Sequence, residues 1–127
     1  MDAGYSGTPL VKKLGIAPDS RVLVIRPVEG FLEAVSPFVD AEHDLDVVVA
    51  FCTTRAELQA AIDLREKIKK NGAIWISWPK KSSKLPTELT EDTLREIGLP
   101  TGLVDNKVCA INEQWSGLRF VWRKELR

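Results

Sequence analysis

The chain of 127 residues has little of what most recognisable chemistry needs: two cysteines, one histidine and no net charge. A structural zinc site wants four ligands drawn mainly from Cys and His. Here Cys52 and Cys109 stand apart without C-x-x-C spacing, and His43 sits among acidic residues, so no metal is expected. Both cysteines lie in apolar, strand-like runs and read as small buried hydrophobes rather than nucleophiles. No apolar stretch approaches the roughly 20 residues of a helical membrane span. The opening MDAGYSGTPLVKKLG also lacks the apolar core of a secretory leader, so a cytoplasmic protein without a membrane partner is expected. G-x-S-x-G, P-loop and H-E-x-x-H patterns are missing too. No catalytic constellation is recognisable, and the sequence leans away from an enzyme.

What is present is ordinary globular material, with 44% hydrophobic and 28% charged residues. A chain of this length buries roughly two thirds of the surface that it exposes when unfolded. One α/β domain over residues 1–127 is expected, with a lead-in at 1–20 and a core at 21–124. The charge is unevenly distributed: residues 1–64 hold five Lys/Arg against ten Asp/Glu, and residues 65–127 hold thirteen against eight. Folding either intermixes these charges or leaves a basic side that attracts anions.

Thr8 as N-cap, Pro9 at the first helical position and Gly15 as the stop outline a short first helix. Arg21 to Pro27 (RVLVIRP) and Asp46 to Cys52 (DVVVAFC) are nearly continuous apolar runs, the pattern of parallel strands covered on both faces. The first of them is expected to be central. Between them Phe31 to Val35 forms a short helix ended by Pro37, and Phe38 to Asp46 is an acidic connection. Thr54 and Glu57 make a capping box for a long helix running to about Lys70. Asn71-Gly72 closes that helix, and Ala73 to Trp78 is the third strand. Thr90 caps a further helix that Gly98 and Pro100 end, with Leu89 packing on Leu94 as a staple. Strands at about Leu103 to Asn112 and Leu118 to Lys124 close the chain as an antiparallel hairpin. The expected fold is a three-layer Rossmann-like α/β sandwich, with a mostly parallel five-stranded sheet and an antiparallel edge.

In open α/β sheets the ligand lies beyond the carboxyl ends of the parallel strands, near the point where strand order reverses. That rule gathers Arg26, Arg55, Lys80, Lys81 and Lys84 on one rim as anion-binding candidates. Thr54, Ser82 and Ser83 add hydroxyls, and the helix start after Thr54 adds backbone N–H groups. The alternative is that these lysines are simply solvated on a loop. Trp75 and Trp78 differ by three in a strand and so face opposite ways. Trp75 belongs to the core, whereas Trp78 is the better candidate for stacking on a ring. Trp115, in the hairpin turn, either contacts a partner or folds back over the sheet.

The order of segments from Arg21 to Lys124 resembles a shortened S-adenosylmethionine-dependent methyltransferase fold. RVLVIRP then matches its first strand, DVVVAFC its fourth, AIWISWP its fifth and the terminal hairpin its last two. The resemblance implies S-adenosylmethionine as cofactor. However, Pro27-Val28-Glu29-Gly30 carries one glycine where that family has a glycine-rich turn, and the connection leaves no room for the second strand that supplies an acidic residue to the ribose. No cofactor is therefore expected, with S-adenosylmethionine disfavoured. The strings SGTPLVKKLG at Ser6 to Gly15, WISWPKK at Trp75 to Lys81 and VDNKVCAINEQWSGLRF at Val104 to Phe120 resemble a bacterial family known as a domain of unknown function, the three-thousand-and-fifty-two family. That likeness brings no activity to transfer.

The sequence thus points to a cytoplasmic binding or regulatory module that takes a small anion on the carboxyl rim. Two alternatives stand beside it: a minimal enzyme using S-adenosylmethionine or a nucleotide, and a protein-interaction module using the hairpin. Nucleic acid is the less favoured partner.

Overall fold

The two β-branched runs lie side by side as parallel strands, β1 (Arg21–Ile25) and β3 (Leu45–Phe51). A computed structural model describes residues 9–127. The remaining strands are β2 (Val39–Asp40), β4 (Ile68–Pro79), β5 (Leu103–Ala110) and β6 (Trp115–Trp122), and the single sheet runs β2-β1-β3-β4-β6-β5. Pairing is parallel from β2 through β4 and antiparallel through β6 and β5. Helices α1 (Leu10–Leu14) and α2 (Phe31–Val35) cover one face, where Leu14, Phe31 and Val35 pack on Val47, Val49 and Trp75. Helices α3 (Arg55–Asp63) and α4 (Glu91–Gly98) cover the other, where Leu58, Ile62 and Leu94 meet Val48, Ile74, Ile76 and Phe120. The result is the three-layer Rossmann-like sandwich with an antiparallel C-terminal hairpin. No helix among the described residues is long and apolar enough to cross a membrane.

Period two in β4 divides its tryptophans between the layers. Trp75 is fully buried beneath α1, and its indole N–H donates to the Leu14 carbonyl at 3.1 Å. That bond satisfies the one polar atom the ring carries into the core. Trp78 joins the opposite core with 7% exposure, so it is not free to stack on a ligand. On the hairpin, Leu118, Phe120 and Trp122 share the α3/α4 face, as their alternation requires.

Several expectations are corrected. The sheet has six strands rather than five, because Val39 and Asp40 pair in parallel with Arg21 and Val22 inside the acidic connection. Strand β1 is not central: only the two-residue β2 lies outside it, and Val22 is its one fully buried residue. Helix α3 ends at Asp63, and a 3-10 turn over Leu64–Lys67 leads directly into β4. Ile68 pairs with Leu45 instead of extending the helix, so sheet pairing overrides local helical preference there. Strand β6 starts at Trp115, because the Asn112 Oδ1 accepts from the Gln114 and Trp115 N–H groups and completes the turn earlier. Pro9 occupies the cap position of α1 rather than its first turn, and Thr8 lies outside the described residues.

Asn71-Gly72 closes no helix but lies within β4, where residues 69–72 stand against Asp46 alone between the pairs Leu45 with Ile68 and Val47 with Ala73. A Cβ at Gly72 would come within 2.7 Å of the Leu45 carbonyl oxygen. Only glycine lets the two backbones approach this closely.

Candidate functional site

The carboxyl edge of the parallel strands is assembled by three connections: β1 to α2, β3 to α3 and β4 to the loop 80–90. Helices α2 and α3 leave on opposite faces, which puts the reversal of strand order between β1 and β3. The side chain of Arg26 spans that crevice. Its Nε donates to the Phe51 carbonyl at 3.0 Å and lies 3.4 Å from Glu57 Oε2, and its Nη2 lies 3.8 Å from Cys52 Sγ. Arg26 holds φ at 51°, a left-handed conformation unfavourable for a bulky residue. These contacts compensate for the strain. Four residues later Gly30 has φ 82°, and a Cβ there would meet nothing within 4 Å. The turn therefore keeps two left-handed positions, although only one is glycine.

The first turn of α3 is already supplied with acceptors. Glu57 Oε1 accepts from the Thr53 N–H at 2.8 Å, the Thr54 N–H at 3.3 Å and the Thr53 hydroxyl at 3.2 Å, while Thr54 Oγ1 accepts from the Glu57 N–H. The Arg55 N–H donates to Glu88 Oε1 at 2.8 Å, across the loop. The N–H groups expected to await an anion thus hold the chain's own carboxylates. Hydrogen bonds from the Thr53 backbone, reinforced by the Arg26 charge, keep the Glu57 carboxyl below its ordinary range. Burial pushes the Cys52 thiol up to about 11 despite Arg26 beside it. Burial likewise raises Cys109. Neither is a thiolate nucleophile at neutral pH.

The structure brings Arg26 and Thr54 together through Glu57, but disperses the other sequence candidates. The Arg55 guanidinium turns to Glu96 on α4 at 3.2 Å. Lys80 is held by its backbone N–H on the Gln114 carbonyl, and Lys81–Ser83 form a 3-10 turn in which the Ser83 hydroxyl donates to the Lys80 carbonyl. Lys81, Ser82 and Lys84 are exposed, and Lys84 has φ 60°. Trp115 is half-buried and packs edge-on against Phe51, with ring centroids 5.3 Å apart, so its indole covers the sheet.

A feature the sequence reading missed lies on the other side of Arg26. Val24, Pro27, Leu32, Phe38 and Asp40 line a cleft of about 490 Å³ between the turn after β1, helix α2 and strand β2. Ser36 and Asp40 are the polar residues of a lining that is otherwise apolar, and Asp40 is the acidic one. Strand β2 spans two residues, too short for any period to show, and only its pairing with β1 brings Asp40 to this cleft.

No family model matches the chain, and no curated protein matches it by sequence. The likeness to the domain-of-unknown-function family therefore rests on the three strings alone. Among solved structures, fibrillarin from Methanococcus jannaschii, a pre-rRNA processing protein, is similar over 94% of this chain and 70% of its own, with a TM-score of 0.58 and 13% identity. A TehB-like SAM-dependent methyltransferase from Corynebacterium glutamicum is similar over 95% of this chain and 91% of its own, with a TM-score of 0.57 and 10% identity. Aeropyrum pernix fibrillarin, solved with natively bound S-adenosyl-L-methionine, is similar over 93% of this chain and 70% of its own, with a TM-score of 0.59 and 11% identity. The chain thus has the fold of the S-adenosylmethionine-dependent methyltransferases. Two expectations are overturned: the sheet does contain the outer strand next to β1, and S-adenosylmethionine, once disfavoured, is the cofactor to which these fold neighbours point.

Proposed function

We propose that the protein is a minimal S-adenosylmethionine-using domain, which takes the nucleoside part of that ligand in the cleft beside β1. The observation that carries this reading is the cleft itself: a mainly apolar trough next to the switch point, with Asp40 as the single acidic residue of its lining and Ser36 as the other polar one. Asp40 would accept from the ribose hydroxyls, the role an acidic residue takes in dinucleotide folds. Pro27, Leu32 and Phe38 would contact the adenine. Gly30, open at its Cβ position, leaves room for close approach of ligand to backbone. Arg26 Nη1 has no hydrogen-bond partner among the described residues and would pair with the ligand's carboxylate. When bound, S-adenosylmethionine supplies an electrophilic methyl group. Cys52 does not accept it, being protonated at neutral pH.

Titration with S-adenosylmethionine and S-adenosylhomocysteine, followed by calorimetry and backbone amide shifts, tests the reading. Saturable heat with shifts at residues 24–32 and 38–40 is expected, as is at least tenfold weaker binding by Asp40→Asn at unchanged melting temperature. A chain that gives no saturable heat and no shifts at millimolar ligand sinks the proposal.

A second reading concerns the other side of the same edge. Lys80, Lys81 and Lys84 have no carboxylate partner among the described residues, which favours a small anion held by the loop with the Ser82 hydroxyl; the Ser83 hydroxyl already donates to the Lys80 carbonyl. Phosphate-induced amide shifts confined to residues 78–84 would support it; a loop that stays silent would remove it.

A further inference from the structure

Two irregularities of the sheet converge at the end opposite the methyltransferase-like edge. In β4, residues 69–72 bulge against Asp46. In β5, Asn106 is the extra residue between Asp105, which pairs with Phe120, and Lys107, which pairs with Arg119. Bulges re-aim side chains and often border sites. Here they flank the same stretch of β6, and between them a cavity of about 130 Å³ is lined by Lys70, Asn71, Gly72, Asn106, Arg119 and Arg127, with Val121 as its apolar residue. At about 30 Å³ per liquid water, that volume suits an oxyanion of a few heavy atoms but not a nucleoside.

The charged side chains that line this cavity are all of one sign. Arg119 Nη1 donates to Asn106 Oδ1 at 3.3 Å and has no carboxylate partner among the described residues. Its cross-strand neighbour is Lys107, like charge directly opposite like. Arg127 is fixed by its Nε on the Trp122 carbonyl at 2.8 Å, and neither Nη group has a hydrogen-bond partner among the described residues. The Lys70 ammonium lies 4.6 Å from the centroid of the Trp122 ring. Burial and the neighbouring Arg127 both weaken the hold of Arg119 on its proton. Because its Oδ1 faces Arg119, Asn106 keeps its amide N–H groups for another acceptor.

We infer that this cavity is an oxyanion site, in which Arg119 and Arg127 hold a phosphate group with the Asn71 and Asn106 amides as further donors. A phosphate would relieve the repulsion between the two guanidinium groups, and it matches their planar, forked donors. The site is separate from the cleft at Asp40 and does not depend on what that cleft binds.

Inorganic phosphate is titrated into the full chain at constant ionic strength, with chloride as the matched control, while amide resonances are followed. Saturating shifts at residues 70–72, 106 and 119–121 are expected, and at least fivefold weaker binding by Arg127→Gln, whose side chain contributes nothing to the core. A chloride response equal to that of phosphate, silence at those amides, or an unchanged affinity in a folded Arg127→Gln overturns the site. A short single-stranded oligonucleotide then separates the sources. Tighter binding than phosphate at the same amides assigns a phosphodiester, whereas binding no tighter assigns a small phosphorylated molecule.

Discussion

Arg26 and Arg119 occupy opposite ends of the sheet and show two ways of placing a guanidinium. Arg26 sits in a strained backbone conformation, but it has a carbonyl, a carboxylate and a sulfur around it. Arg119 sits in an ordinary strand, yet only a neutral amide oxygen meets it, with Lys107 opposite and Arg127 nearby. At the first end Glu57 stands beside the Arg26 charge, which leaves Nη1 open next to the cleft. At the second end the charge is unanswered, and the cavity is the place where an answer fits. The general lesson concerns basic residues near a sheet edge: their number says little until each is assigned its carboxylate.

The largest way to break the contrast is through the backbone that builds the amino end. Gly72→Ala forces a Cβ to within 2.7 Å of the Leu45 carbonyl, and a clash against backbone should cost about 3 kcal/mol, the upper part of the overpacking range. Gly30→Ala at the carboxyl end meets open space and should lose only about 1–2 kcal/mol, from the left-handed conformation itself. Urea denaturation of the two variants gives the order directly. If Gly30→Ala is the more damaged, the close approach at Gly72 is not what shapes that end.

Next in size is Glu57, which ties α3, Thr53 and Arg26 together. Glu57→Ala should lose about 1–2 kcal/mol, as removal of a helix-capping group does. Its pH dependence has a definite sign. The folded carboxyl titrates below its ordinary value of 4.5, so its contribution is present above that value and fades as pH falls through the folded value. Stability measured between pH 6 and pH 3 should therefore fall more steeply in the wild type than in Glu57→Gln. Parallel curves would remove Glu57 as the acid that anchors this edge.

A smaller effect separates strain from pairing at Arg26. Arg26→Ala and Arg26→Gly both lose the contacts to Phe51 and Glu57, but glycine alone is released from the penalty at φ 51°. Arg26→Gly should be the more stable of the two by about 1 kcal/mol. Equal stabilities would mean that the turn relaxes once the guanidinium is gone.

The legibility of these regions in the sequence followed how local their causes are. The capping box at Thr54 and the N-cap at Thr90 were readable because their causes lie within one turn, and both form; that Thr93 completes a box at Thr90 was not read. The parallel core strands and the opposed faces of Trp75 and Trp78 followed from apolar runs and period two. The lost end of the long helix was not readable, since Ile68 leaves helical spacing only because Leu45 offers a strand to pair with. Strand β2 was hidden for the same reason: Val39 and Asp40 carry no pattern, and β1 alone makes them a strand. At the candidate site the basic rim was legible as composition, but Glu57 and Glu96, which pair with Arg26 and Arg55, and Glu88, which takes the Arg55 N–H, come from three separate segments. The Arg119 cavity needs two bulges to form, and a bulge shifts register without altering the hydrophobic pattern that a sequence displays.

The smallest effect on stability is also the one that sharpens the comparison most. Arg127→Gln removes one of two neighbouring positive charges and no carboxylate contact, so in low-salt buffer the variant should be at least as stable as the wild type. Arg26→Gln, which gives up the Glu57 ion pair, should be less stable under the same conditions. Adding phosphate then tells the ends apart. A ligand that binds only the folded chain raises its stability in proportion to RT ln(1 + [L]/Kd), so phosphate should raise the melting temperature of the wild type and of Arg26→Gln. It should leave Arg127→Gln nearly where it was. Were all three to respond alike, the phosphate effect would belong to the solvent rather than to the cavity, and the two arginines would differ only in their neighbours and not in what they are for.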